Sequence, residues 1–170
     1  MSSLDLFNEL PSYDELNILV LGTATLIKST PFIKFLADFD TEYLHKIRVS
    51  TSYPLPENPN RPRIEYIVIL VSMDNQMSFE FFKNTIQQLS DSYLNQRICV
   101  VVFNSKQTSS FTFPISDLRE IVQPLYLHVF YCESINIQSQ KIATEAIFTL
   151  AERCWKKQKN INSLFNKMTF

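Results

Sequence analysis

Five short apolar runs recur along the chain, and polar segments separate them. They lie near residues 16–21, 46–50, 64–72, 97–103 and 125–131. Continuous runs of this length, rich in Val, Ile and Leu, predict strands that are buried on both faces of a sheet. The run over 64–72 is the most apolar of the five, and we therefore expect it to be a central strand.

Apolar residues at helical spacing fill the segments around these runs. One helix is predicted after Pro31, a second with Ser78 as its cap, a third over 115–122 and a long fourth from 137 to about 157. Strands that alternate with helices indicate βαβ units. The predicted fold class is therefore α/β, a three-layer sandwich in which a mainly parallel five-stranded sheet carries helices on both faces.

A proline-rich connector precedes the predicted central strand. Four prolines occur in the ten residues from Tyr53 to Pro62, and this density forbids a regular helix or strand. Arg61 and Arg63 flank the last of these prolines. They are expected to anchor the connector by pairing with acidic groups, either on this domain or on a partner, and the internal role is favoured.

Composition and charge narrow the function classes. The 170 residues carry a net charge of −1, so the overall balance does not attract nucleic acid or a membrane surface. No stretch approaches the ~18 apolar residues that a membrane-spanning helix needs. The three cysteines predict buried reduced thiols, and the two distant histidines predict no zinc site. We expect no metal ion and find no motif for a catalytic nucleophile.

The single glycine of the chain, Gly22, follows the first predicted strand. With Lys28 and Ser29 it forms the frame of a phosphate-binding loop, G-x-x-x-x-G-K-[ST], in which Ile27 replaces the second glycine. Such loops need glycine because their backbone adopts positive φ and approaches the phosphates closely. We therefore interpret the frame as a relic, and Lys28 as a solvated lysine at a helix start rather than a residual phosphate ligand.

The strand–helix alternation behind this frame resembles the small Ras-like GTPases. That resemblance implies a D-x-x-G loop for metal and water, but residues 49–54 contain neither aspartate nor glycine. It also implies an N-K-x-D loop for the base, in which Asn104 is present and Gln107 stands in place of the aspartate. Gln107 lacks the charged bidentate acceptor that a guanine edge selects. We therefore expect a Ras-like fold with reduced switch regions that does not hydrolyse GTP.

One stretch carries a closer resemblance, namely Leu55-Pro56 followed by Asn60-Arg61-Pro62-Arg63-Ile64. It is similar to the centromere protein M family, which are small-GTPase-like subunits of the inner kinetochore. This resemblance implies a non-catalytic pseudo-GTPase in the nucleus, at the centromere, that joins centromere proteins I, H and K. It implies no cofactor, no nucleotide, no membrane and no direct contact with nucleic acid. The alternative is a small GTPase-like adaptor in signalling or trafficking that retains weak nucleotide binding.

Two surfaces are expected to carry partner contacts. Residues 1–158 are predicted to form the pseudo-GTPase domain and 159–170 a C-terminal apolar extension. Four apolar residues of the extension fall at i, i+3, i+4 and i+7: Ile161, Leu164, Phe165 and Met168. Amphipathic segments of this kind dock in partner grooves, and packing back on the domain is the alternative. The second surface is Tyr93 with Leu94, where ordinary core packing is the alternative.

Overall fold

The five predicted apolar runs form one sheet. The computed structural model describes residues 4–6, 9 and 13–168, with side chains up to residue 157. The strands are β1 (Glu15–Leu21), β2 (Leu44–Ser50), β3 (Tyr66–Ser72), β4 (Ile98–Phe103) and β5 (His128–Cys132). Their spatial order is β2-β1-β3-β4-β5, and every neighbouring pair is parallel. The order reverses between β1 and β3, where open sheets of this kind bind their ligands.

Six α-helices accompany the sheet within the described residues. They are α1 (Ala24–Ser29), α2 (Phe32–Ala37), α3 (Gln76–Gln88), α4 (Asp91–Leu94), α5 (Ile115–Val122) and α6 (Ile137–Met168). A 3₁₀ turn over Thr108–Ser110 follows β4. The predicted helices after Pro31 and over 115–122 are confirmed to within a residue or two at each end.

Side chains on the two faces of the sheet enter two separate hydrophobic cores. In β3, Ile67, Ile69 and Val71 face the core that α3, α4 and α5 complete. The intervening residues Tyr66, Val68 and Leu70 face the core of α1, α2 and α6. All seven residues of β3 are buried, as a parallel strand covered on both faces requires. The predicted three-layer α/β sandwich with a central third strand is therefore confirmed.

Several predicted boundaries are wrong, each for a local reason. The last strand begins at His128 rather than at residue 125, because a turn with Tyr126 at φ 51° precedes it. Asn75, not Ser78, caps α3, and its side-chain oxygen accepts the Ser78 amide at 3.2 Å. Helix α6 does not end near residue 157, since its backbone continues to Met168. The division into domain and extension at residue 158 stays a prediction.

The proline-rich connector is anchored to the domain through Arg63, which pairs with an acidic group as the favoured interpretation predicts, whereas the hydrogen bond of Arg61 stays within the connector. The guanidinium group of Arg61 donates to the carbonyl oxygen of Pro56 within the connector. Arg63 is buried, and its Nε lies 3.1 Å from Oε1 of Glu65. Arg97 reaches the other carboxylate oxygen of Glu65 at 3.1 Å and also donates to the carbonyl of Cys154 in α6. This buried Arg63–Glu65–Arg97 triad joins the connector, the sheet and α6.

Candidate functional site

The candidate nucleotide cleft lies at the carboxyl ends of the strands. All five strands are parallel, so the segments that follow β1, β3, β4 and β5 meet at one edge of the sheet. The phosphate-loop frame follows β1, and the base-loop residues follow β4. Both loops therefore lie at the same edge of the sheet, and their geometry decides what this edge is able to bind.

Helix α1 occupies the positions of the expected phosphate loop. Residues Ala24–Ser29 are helical, and the Ile27 amide donates to the carbonyl oxygen of Thr23 at 3.0 Å. In a phosphate-binding loop the successive amides instead turn toward the anion. Leu26 is buried in the core beneath this helix, and Ile27 packs against the same core. The segment has become part of the packing layer, so no cradle for a triphosphate is present along Ala24–Ser29.

Gly22 is needed for close packing and not for backbone conformation. Its φ does not lie in the left-handed region, so the positive φ expected of a phosphate-loop glycine is not adopted. A Cβ at this position would lie 3.2 Å from Cβ of Leu70 and 3.6 Å from Cγ1 of Ile27. The glycine therefore lets the β1–α1 junction approach the neighbouring strand β3.

The two residues that match the phosphate-loop frame serve other purposes. The hydroxyl group of Ser29 donates to the carbonyl oxygen of Leu26 at 3.1 Å, within the last turn of α1. In the functional loop that hydroxyl would bind Mg²⁺. The Lys28 side chain is exposed. Its interpretation as a solvated lysine fits this placement, although it lies at the end of α1 and not at a helix start.

The base-recognition position is occupied by an internal hydrogen-bond network. Asn104 has φ 58°, a left-handed conformation that asparagine tolerates better than most residues. Its Nδ2 donates to Asp74 Oδ2 at 2.9 Å and to the Ser72 hydroxyl at 3.2 Å. Its Oδ1 accepts the Ser134 amide at 3.2 Å. Asn104 therefore joins the segments after β3, β4 and β5, and its amide is engaged on both sides.

A second set of bonds closes the same loop. Oε1 of Glu133 accepts the Lys106 amide at 3.1 Å and lies 3.4 Å from the Ser105 hydroxyl. The expected aspartate position, Gln107, is exposed and precedes the 3₁₀ turn. Sequence reasoning missed Asp74 and Glu133, because neither belongs to a nucleotide-binding motif. Asp74 follows β3 and Glu133 follows β5, the two strands on either side of β4, and this shared position at the carboxyl ends of parallel strands is the signal that would have found them.

The described side chains form neither a metal site nor a reactive thiolate. No group of three or more His, Cys, Asp or Glu residues there is arranged to hold a metal ion. The three cysteines are unpaired thiols, and burial raises the pKa of Cys132 to about 12, so it is not a thiolate at neutral pH. In the part of the chain that the structure describes, no helix combines the length and the apolar character that a membrane crossing requires.

Of the two expected partner surfaces, the structure describes the side chains of only one, Tyr93 with Leu94. The Tyr93 side chain is 1% exposed, and its hydroxyl donates to the carbonyl oxygen of Ile64 at 2.8 Å. Tyr93 is therefore a core residue and presents no surface, whereas Leu94 is only half-buried against the same core. The side chains of the C-terminal stripe lie outside the described residues: Ile161, Leu164, Phe165 and Met168. Their backbone belongs to α6, and their role stays a prediction.

Comparison with known proteins identifies one family. A model of the family Centromere protein M matches residues 1–169. Centromere protein M of Homo sapiens is 23% identical to this chain over 133 residues, and that of Bos taurus is 22% identical over 134 residues. Each alignment covers 78% of this chain and 73% of the relative. The family match therefore includes the connector, α6 and the candidate nucleotide cleft, which we call the closed cleft because α1 and the Asn104 network occupy it.

Proposed function

The chain belongs to the centromere protein M family, and from this premise we propose that it is a non-catalytic scaffold subunit of the inner kinetochore, in the nucleus. The observation that supports this proposal is the closed cleft. Helix α1 fills the phosphate-loop position, and Asn104 is bonded to Asp74 and Ser134 where a nucleotide base would bind. When the chain's own residues occupy the nucleotide site of such a fold, binding of other proteins to its surface is the function that remains.

The proposed partners are centromere proteins I, H and K, which the family resemblance implies. The proposed contact is the apolar stripe near the C-terminus, formed by Ile161, Leu164, Phe165 and Met168. Because the α6 backbone is helical through Met168, spacings of three and four residues place these positions on one face. A helix face of this kind inserts into a hydrophobic groove of a helical partner.

The first expected result concerns nucleotide. Addition of GTP and Mg²⁺ is expected to leave the melting temperature of the chain unchanged, because neither the phosphates nor the base has a site. A ligand that binds at a hundredfold excess over its Kd would stabilise the fold by about 2.7 kcal/mol, or roughly 5–11 °C at this chain length. Differential scanning fluorimetry detects such a shift, and a small GTPase serves as the positive control.

The variant Ile27→Gly sharpens this experiment. It restores the second glycine of the frame, but α1 and the Asn104 network remain, so it is expected to bind no better than the wild type. A reproducible GTP-dependent rise in the melting temperature of the wild type would contradict the closed cleft and support the adaptor alternative, whereas a rise in Ile27→Gly alone would show that Ile27, and not α1 or the Asn104 network, blocks the site.

The second expected result concerns the partner. The chain is expected to co-elute with centromere protein I in size-exclusion chromatography, and the double variant Leu164→Glu/Phe165→Glu is expected to lose co-elution. Removing one anchor residue of an interface weakens binding by about 2 kcal/mol or more. Replacing both Leu164 and Phe165 is therefore expected to lower the affinity more than a hundredfold. Circular dichroism melting checks that the double variant is folded.

The matched control is Asn162→Glu/Asn166→Glu, which adds the same two charges to the same helix off the apolar stripe. It is expected to co-elute as the wild type does. If the wild type fails to bind centromere protein I, the partner proposal is wrong. If the wild type and the stripe variant bind equally, the partner proposal stands and the assignment of the contact to the stripe is wrong.

A further inference from the structure

A groove runs between helix α6 and the segment 35–43, which comprises the end of α2 and the chain that follows it. It consists of two adjoining clefts of ≈ 470 Å³ and ≈ 310 Å³. Phe39, Asp40 and Glu145 line both clefts, so the two form one continuous depression. We refer to it as the α2–α6 groove. It lies on the α6 side of the sheet and uses none of the residues of the closed cleft.

The floor of the groove is aromatic and held in place by ring contacts. Phe39 stacks on Phe148 with a centroid separation of 4.5 Å, and His45 meets the same Phe148 ring edge-on at 4.8 Å. Tyr43 packs on Trp155 at 5.1 Å. Burial and the charge of Glu152 raise the pKa of Tyr43 to about 12, so its phenol is neutral at physiological pH. Phe39 and Tyr43 are half-buried and leave part of each ring open to the groove.

The rim of the groove is strongly negative. Its lining includes five carboxylates and one ammonium group, and the carboxylates are Asp38, Asp40, Glu42, Glu145 and Glu152. Of these five carboxylates, only that of Glu152 forms an ion pair with another described residue, Lys156. The ammonium group is Lys141, whose Nζ lies 5.9 Å from the centroid of the Phe35 ring. A chain with a net charge of only −1 thus concentrates negative charge around an aromatic floor.

We propose that the α2–α6 groove binds an extended, arginine-bearing segment of a partner protein. A guanidinium group is the side chain that satisfies both features, because it stacks flat on aromatic rings and pairs with carboxylates through two parallel hydrogen bonds. The position of Lys141 over Phe35 shows the same cation–ring contact within the chain itself. A lysine ammonium also approaches a ring face, as Lys141 does, but it is a compact and strongly hydrated point charge without the planar fork that stacks flat on a ring and pairs with a carboxylate through two hydrogen bonds.

Other occupants fit this chemistry less well. The carboxylates are spread along the groove and are not arranged to hold a metal ion within the described residues. Nucleic acid is repelled by the rim, since its backbone carries negative charge. The α2–α6 groove is also independent of the C-terminal stripe, so its occupancy does not depend on the proposed contact with centromere protein I. A scaffold with both surfaces would hold two partner segments at once.

The test measures fluorescence anisotropy with a labelled peptide of alternating arginine and alanine as the probe. The wild-type chain is expected to bind it, with an affinity that falls as salt increases. The variant Asp40→Asn/Glu145→Gln removes two charges from the shared part of the groove and is expected to weaken binding about tenfold, at ~0.7 kcal/mol for each charge pair. The matched control Asp117→Asn/Glu120→Gln removes two exposed carboxylates on α5, on the other face, and is expected to bind as the wild type does.

Two further readouts localise the binding. Trp155 is the only tryptophan of the chain and contacts Tyr43, so the arginine peptide is expected to change its emission while a lysine–alanine peptide changes it less. Equal binding by the groove variant and the wild type would overturn the proposal, and so would equal affinity for the lysine peptide. Sedimentation that revealed a dimer lost in Asp40→Asn/Glu145→Gln would assign the groove to a second copy and overturn it as well.

Discussion

Replacing Glu65 by alanine is expected to lower the free energy of unfolding by about 3–5 kcal/mol. The Glu65 side chain is 0% exposed and lies between two guanidinium groups, with 3.1 Å contacts to Arg63 and Arg97. Arg63 is itself buried, and neither its Nε nor its Nη2 has a hydrogen-bond partner within the described residues, so its 3.1 Å contact with Glu65 acts as an ion pair. Removing the carboxylate leaves the buried Arg63 and the partly exposed Arg97 without their counter-charge, and uncompensated buried charge is costly.

Burial and the neighbouring opposite charges shift the pKa values of Glu65 and Arg63 in opposite directions. Burial raises the pKa of Glu65 above its ordinary value, while the two arginines oppose that shift. Burial likewise lowers the pKa of Arg63, and the charge of Glu65 opposes it. Each charge is therefore tolerated only because the other is present. This is the condition under which deletion of one partner does more damage than deletion of the whole group.

Urea denaturation of Glu65→Ala, Glu65→Gln and the wild type measures the effect. The glutamine variant retains the shape and one hydrogen-bond acceptor for Arg97 and is expected to fall between the other two. The matched control is Glu80→Ala, which removes the carboxylate of an exposed Glu80–Lys83 pair on α3 and is expected to change the midpoint little. A Glu65→Ala midpoint as high as that of Glu80→Ala would show that the triad does not hold the connector in place.

Replacing Tyr93 by alanine is expected to cost about 3–5 kcal/mol, the cost of emptying a fully buried aromatic position. The ring lies in the core that α3, α4 and α5 cover, and its hydroxyl holds the carbonyl of Ile64 at 2.8 Å, where the connector enters β3. Tyr93→Phe keeps the ring and loses only this hydrogen bond, so about 1 kcal/mol is expected. Leu94→Ala, at the half-buried neighbour, is expected to cost less than Tyr93→Ala.

The same variants separate a core role from an interface role. Urea denaturation reports stability, and co-elution with centromere protein I reports binding. A Tyr93→Ala protein with wild-type stability and no partner binding would show that Tyr93 is an interface residue and would contradict its placement in the core. If Leu94→Ala is stable and binds normally, Leu94 does not contribute to an interface.

Most of the fold followed from apolar patterning because burial on both faces leaves a strong signal in sequence. The run over 64–72 is apolar except for Glu65 and Ser72, and residues 66–72 of it form β3, in which every residue is buried. Helix α5 was predicted with its observed bounds, since its apolar positions have an unambiguous helical period. Helix α1 was missed because six residues are too few to show a period, and its helicity depends on the packing of Leu26 in the core.

The site could be predicted only in part. The missing glycine at Ile27 and the missing aspartate at Gln107 were visible in the sequence, and the prediction that both nucleotide loops are degenerate rests on them. The partners of Asn104 were not visible, because Asp74 lies 30 residues away and comes close only through the pairing of β3 with β4. The α2–α6 groove was hidden for the same reason, since its two walls are about a hundred residues apart in sequence.

The order and the spacing of apolar residues along the chain were enough to predict an α/β sandwich and its central strand. Residue identities alone showed that two nucleotide motifs are incomplete. All of these properties are local to a strand, a helix or a loop. Packing between distant segments settled the rest. It converted the phosphate-loop frame into helix α1, engaged Asn104 with Asp74, buried Tyr93 and surrounded Glu65 with two arginines. The physical reason is that burial and hydrogen bonding depend on which segments the folded sheet brings together, and a linear pattern records only what lies next along the chain.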